Sequence, residues 1–112
     1  MTQFVDRNGI LVVTVEVERL DAAAAPLFKK ELIDNVEDQP RRVILDVSGV
    51  QFLDSTGLGV FVSLLKMMGS SGVIGIVGAQ PPVRRLLQIT QLDRIFRTFD
   101  TLNDADAILH SS

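Results

Sequence analysis

Along the chain, apolar residues recur with two different periods, and the switches between them divide the sequence into nine elements. Thr2–Val5 and Ile10–Val17 are β-rich, and Asp6-Arg7-Asn8-Gly9 separates them. Asn-Gly between such runs predicts a hairpin, because both residues tolerate the positive φ of a tight turn. In the second run Leu11, Val13, Val15 and Val17 share one face, while Val12 and Thr14 on the other give way to Glu16 and Glu18. That second face is expected to be half buried at most.

From Ala24 to Val36 the period becomes helical, with Leu27, Phe28, Leu32 and Val36 inward, Ile33 adjoining, and Lys29, Lys30, Asp34 and Glu37 on the wet side. Pro26 fits only the first turn of such a helix, where its missing N–H is not needed. A polar turn over Asn35–Pro40 leads into Arg42–Val47, a nearly continuous apolar run of the kind found in a strand covered on both faces. A helix over Ser55–Met68 follows and ends at Gly69-Ser70-Ser71-Gly72. Val73–Gly78 reads as another buried strand, in which Gly75 would let a neighbouring element approach closely. Pro81-Pro82 opens a helix to Thr90 with Val83, Leu86, Leu87 and Ile89 inward. Leu92, Ile95 and Phe96 make a short turn, Arg97–Phe99 a last edge strand, and Thr101 caps a terminal helix with Ala105, Ile108 and Leu109 inward. The order β-β-α-β-α-β-α-β-α predicts an α/β fold: a mixed sheet with parallel pairs, right-handed crossovers and an antiparallel N-terminal hairpin.

Composition narrows the function classes. A chain of 112 residues that is 46% hydrophobic is expected to form a single domain over 1–112 with one compact core. The net charge is −3 and no basic cluster exceeds Arg41-Arg42 or Arg84-Arg85, so the electrostatic footprint of a nucleic-acid binder is missing. No apolar run is long enough to span a bilayer and no secretory signal is present, which points to a cytoplasmic protein without membrane attachment. There is no cysteine, and the only histidine is His110. Thiolate chemistry, histidine triads and multi-histidine metal sites therefore lack their residues, and no cofactor is expected.

The candidate chemistry lies where the central strand meets the next helix, in Asp54-Ser55-Thr56-Gly57-Leu58-Gly59. Ser55 or Thr56 can serve simply as the helix cap, worth about 1 kcal/mol. That leaves Gly57 and Gly59 to explain, since glycine in a helix costs about 0.5–1 kcal/mol relative to alanine and suggests that something approaches the backbone closely. A helix start also accommodates added negative charge, so a phosphate on Ser55 would be tolerated locally and repelled by an acidic partner surface. Leu58, Phe61, Val62, Leu65 and Met68 follow core spacing, but Val60, Leu64 and Met67 are apolar as well, leaving only Gly59, Ser63, Lys66 and Ser70 as a polar stripe. Either the helix is sandwiched in the domain, which is favoured, or its flank is an apolar patch for a partner.

Enzyme readings fail on inventory. Ser55 interrupts the Asp-Thr-Gly of an aspartic protease, no Gly-x-Ser-x-Gly elbow surrounds it, and no Walker loop occurs. Asp21, Asp46 and Asp54 are better read as caps and turn formers than as a metal site.

The segment Val43–Gly59, with its Asp54-Ser55-Thr56-Gly57-Leu58-Gly59 core, resembles the STAS domains of bacterial anti-sigma factor antagonists. Pro82-Val83-Arg84-Arg85-Leu86-Leu87 and Leu92-Asp93-Arg94-Ile95-Phe96 match the later helix and turn of that family, so the resemblance covers nearly the whole chain, with no extra domain indicating a transporter tail or sensor fusion. It implies a STAS fold and a non-enzymatic, phosphorylatable antagonist with two partners: an anti-sigma factor that is also a serine kinase, and a PP2C-type serine phosphatase. The unphosphorylated form would bind the anti-sigma factor and free its client; phosphorylation at Ser55, with Thr56 a weaker acceptor, would cause release. The residues implied in partner binding are Asp21, Asp54, Ser55, Thr56, Gly57, Leu58, Gly59, Val60, Ser63, Leu64 and Met67. One departure is Glu18 in Glu18-Arg19-Leu20-Asp21, where the family has a glycine. The alternative is a constitutive interaction or transport-associated STAS module in which Ser55 is only a cap.

Overall fold

In a computed structural model describing residues 1–36 and 42–110, the strand Thr2–Arg7 (β1) turns through Asn8 and Gly9 into Ile10–Val15 (β2). Both turn residues have positive φ, 55° and 89°, and Arg7 pairs with Ile10, so the hairpin closes with the two-residue turn that Asn-Gly encodes. The remaining elements are β3 (Arg19–Leu20), α1 (Ala25–Asn35), β4 (Arg42–Asp46), β5 (Phe52–Leu53), α2 (Ser55–Met68), β6 (Val73–Val77), α3 (Pro81–Ile89), a 3₁₀ turn (Leu92–Arg94), β7 (Arg97–Phe99) and α4 (Leu102–His110). The main sheet runs β1-β2-β4-β6-β7, antiparallel at β1/β2 and parallel elsewhere. β3 and β5 form a separate parallel pair that the periodicity did not predict. The polar turn expected over Asn35–Pro40 falls largely outside the described residues.

The sheet is covered on both sides. Val13, Val15, Val43, Leu45, Ile74 and Ile76 meet α1, α2 and α3 in the larger core. At its centre Phe61 of α2 makes edge-to-face contacts with Phe28 of α1, at 6.0 Å, and with Phe96, at 6.4 Å. Such pairs are worth about 0.5–1.5 kcal/mol beyond the area they bury. They fix α2, and with it the motif at its N-terminus, against the rest of the domain. On the opposite side Ala105 and Leu109 of α4 cover Ile10, Val12, Ile44 and Val77. The second face of β2 is thus more deeply buried than its glutamates suggested, with Ile10 and Val12 sealed and Thr14 half-exposed.

Of the apolar residues expected on or beside the inward stripe of a helix, Leu27, Ile33, Ile89 and Ile108 face solvent instead. Each lies off the line of its neighbours on the buried stripe. On α1, for example, Ala25, Phe28 and Leu32 take the inward positions and turn Leu27 and Ile33 outward. Gly75 does admit close neighbours, since a Cβ there would stand 3.1 Å from the Phe99 ring. The cap of α4 is formed as the sequence indicates, Thr101 Oγ1 accepting the Asp104 N–H at 3.1 Å. Thr101→Ala is expected to cost about 1 kcal/mol. Thermal unfolding should register this as a fall of roughly 4–6 °C.

Candidate functional site

Asp54, not a hydroxyl, caps α2. Its backbone is extended, its Oδ1 accepts the Gly57 N–H at 2.9 Å, and its carbonyl accepts the Leu58 N–H at 2.9 Å. Ser55 is the first helical residue, so its side chain lies beyond the position from which a cap can bond the third free N–H. Contrary to expectation, neither Ser55 nor Thr56 is the cap. Both side chains are exposed, and among the described residues neither hydroxyl takes a hydrogen-bond partner. Ser55 is therefore an accessible hydroxyl at a helix start, where unpaired N–H groups and the helix dipole favour negative charge.

Asp54 Oδ2 reaches across to the loop after β3 and accepts the Ala22 N–H at 3.1 Å. Asp21, half-buried in that loop, uses its Oδ1 for the Ala23 and Ala24 N–H groups at 3.1 and 3.2 Å, and its Oδ2 faces Arg19 Nε at 3.6 Å. Asp46 is occupied elsewhere, its Oδ1 accepting from Ser48 N–H and Oγ. The three aspartates thus act as separate caps and turn formers.

The two glycines of the motif separate clearly. At Gly57 an added Cβ would stand 2.3 Å from the Leu20 carbonyl oxygen and 2.8 Å from Leu53 Cδ1, so the approaching backbone belongs to β3 of the same chain. At Gly59 an added Cβ would meet nothing within 4 Å, and the residue is exposed. Gly59 floors an open groove of about 430 Å³ between α1 and α2, walled by Pro26 and Lys29 on one side and by Thr56 and Ser63 on the other.

Of the remaining sequence-derived contacts, Ser63 and Met67 are half-buried, whereas Gly57, Leu58, Val60 and Leu64 are buried. Leu58 and Leu64 turn their side chains into the domain. Leu58 and Leu64 belong to the main core, Val60 shows only an edge to the groove at 5% exposure, and Gly57 is covered by Leu20. The reason is that α1 packs along the flank that could have been an apolar patch.

Two exposed residues beside the motif were not anticipated. Arg19 lies over the Phe52 ring at 4.3 Å, and the two are partners in the β3/β5 register. Their pairing joins segments far apart in sequence, so neither run alone signals it. Arg19 also faces Asp21, and Phe52 lies three residues before Ser55, so the pair adjoins both partners of the motif.

The STAS domain family model matches residues 2–105. The chain is 33% identical over 100 residues to the anti-sigma-F factor antagonist RsfB of Mycobacterium tuberculosis, covering 89% of this chain and 81% of that protein. The crystal structure of an anti-sigma factor antagonist from Mycobacterium paratuberculosis superposes with a TM-score of 0.88 at 31% identity, over 98% of this chain and 93% of that one. The Bacillus cell fate determinant SpoIIAA in its phosphorylated form shares the fold, with a TM-score of 0.71 at 15% identity over 96% of this chain and 99% of that one. The matched span runs from β1 into α4 and contains the whole Asp54–Gly59 motif, and on this ground the chain belongs to the STAS domain family.

Proposed function

We propose that this protein is an anti-sigma factor antagonist acting by partner switching, a binding regulator without catalysis of its own. The observation that carries the reading is Ser55: an exposed, unbonded hydroxyl at the first position of a helix that the core holds fixed. The naming of a 33% identical relative as an anti-sigma-F factor antagonist supports it. The unphosphorylated form binds an anti-sigma factor, and its client is freed. That anti-sigma factor is also the serine kinase that modifies Ser55, and a PP2C-type phosphatase resets the cycle. Thr56 shares the exposure of Ser55 and is the secondary acceptor. The site of action in this reading is cytoplasmic, that of the anti-sigma factor; separately, no helix among the described residues is long and apolar enough to cross a membrane.

The contact surface in this reading consists of Ser55, Thr56, Gly59, Ser63 and Met67 on α2 with Asp21 beside them. The proposal is tested by competition. A preformed complex of the anti-sigma factor and its client should release the client when the unphosphorylated chain is added. Failure of a saturating excess to displace any client would remove the anti-sigma assignment.

Gly59 gives a second test. Its glycine meets no steric need within the chain, so Gly59→Ala should stabilise the fold by about 0.5–1 kcal/mol. If the partner's backbone rests on this face, the added methyl should weaken binding by about tenfold, through overpacking of a close interface. Calorimetric titration alongside thermal unfolding separates the two effects. Unchanged affinity would place Gly59 outside the contact surface.

A further inference from the structure

The partner-binding set read from the sequence treats Asp54 as a contact residue. Its geometry assigns it different work. Both carboxylate oxygens are taken within the chain, Oδ1 by Gly57 at the start of α2 and Oδ2 by Ala22 in the loop after β3. The Asp54 N–H in turn points to the Leu20 carbonyl at 3.4 Å. One side chain therefore ties the element that carries Ser55 to the loop that carries Asp21, which are more than thirty residues apart in sequence. The close approach at Gly57 brings β3 against α2, and the carboxylate holds the loop beyond it in register.

We propose that Asp54 is a positioning residue: it presents Asp21 and Ser55 to the partner as one surface and does not itself touch the partner. The functional half of this inference rests on the partner-switching reading, whereas the bridge itself is a property of the free protein. A carboxylate suits the role because it has two oxygens that both accept. Serine at the same position retains a favoured N-cap oxygen for Gly57 but, with a single and shorter-reaching oxygen, has no second one to place at Ala22. Asparagine also caps well, and its NH₂ group cannot accept.

The test uses Asp54→Ser, with Asp54→Asn as the second variant, in the full chain. Amide hydrogen exchange followed by NMR should show the Ala22 N–H exchanging about tenfold faster while the Gly57 N–H stays protected, as expected for loss of one charge-assisted bond. Ala22 exchange unchanged in both variants would overturn the bridge. The purified anti-sigma factor then supplies the second readout, a double-mutant cycle with Asp21→Ala. If Asp54 acts through the loop, Asp54→Ser should weaken binding in the wild-type background, by about tenfold, and have no further effect once Asp21 is gone. Full additivity of the two substitutions would show that Asp54 contacts the partner independently, against the proposal. Should the wild-type chain fail to bind the anti-sigma factor at all, the partner-switching reading falls, and the exchange data alone decide the bridge.

Discussion

Replacing Ser55 by glutamate is expected to weaken binding to the anti-sigma factor by about tenfold, and phosphorylation of Ser55 by about a hundredfold or more. The difference follows from charge: the phosphate carries about −1.5 to −2 and three acceptor oxygens, against one charge for glutamate. A tenfold loss is about 1.4 kcal/mol and a hundredfold loss about 2.8 kcal/mol; only the second reaches the roughly 2–5 kcal/mol of a charge left unpaired inside an interface. The fold should not register either change strongly, because the Ser55 hydroxyl makes no bond among the described residues and the cap belongs to Asp54. Ser55→Ala should accordingly keep its stability within about 0.5 kcal/mol of wild type. It should also bind its partner normally and remain bound in the presence of ATP. Isothermal titration of the alanine, glutamate and phosphorylated forms checks the series. Equal affinity of all three would indicate a constitutive module with no switch at this position.

Gly57→Ala should produce the largest loss of stability among the substitutions considered. The new methyl would stand 2.3 Å from the Leu20 carbonyl oxygen, a backbone atom held by the β3/β5 pair, with Leu53 Cδ1 at 2.8 Å on another side. Relief requires moving β3 away from α2, since no flexible side-chain end can simply swing aside. Overpacking of this kind costs about 3 kcal/mol, which for a domain of this size lowers the unfolding midpoint by roughly 10–15 °C. The loop carrying Asp21 would move with β3, so partner binding should fall as well. Thermal unfolding monitored by circular dichroism provides the check, with Gly59→Ala as the matched control two residues along the same helix. A Gly57→Ala protein as stable as wild type would mean that β3 is free to shift.

These two glycines also show what the sequence could and could not convey. Both stood out as costly residues in a helix, and the inference that a backbone approaches closely holds for Gly57, where the visitor is Leu20. Nothing local distinguishes Gly57 from Gly59, because the distinction depends on where β3 lies in space. The same limit explains the missed β3/β5 pair, whose two-residue strands are too short for any period to appear. It also explains why Val60 and Leu64 looked like a possible patch: only the packing of α1 along α2 decides that flank. The long elements were more legible. The hairpin at Asn8-Gly9, the α2 boundaries at Ser55 and Met68, and the cap at Thr101 each follow from residues next to one another, and each is present in the structure. The reassignment of the α2 cap from Ser55 to Asp54 lies between these cases. A run of Asp-Ser-Thr offers three capping residues in succession, and the Asp54 carboxylate is the one whose second oxygen also bonds the distant Ala22 N–H, a contact that local sequence does not reveal.

The switch is assigned to Ser55. It is tested most directly by incubating the wild-type chain with the purified anti-sigma factor kinase and magnesium-ATP, then mapping the phosphate by mass spectrometry while size-exclusion chromatography follows the complex. Close to one phosphate per chain is expected on Ser55, with dissociation of the complex in step with its appearance. Release with Ser55 unmodified, or a fully phosphorylated Ser55 in a complex that stays intact, would contradict it.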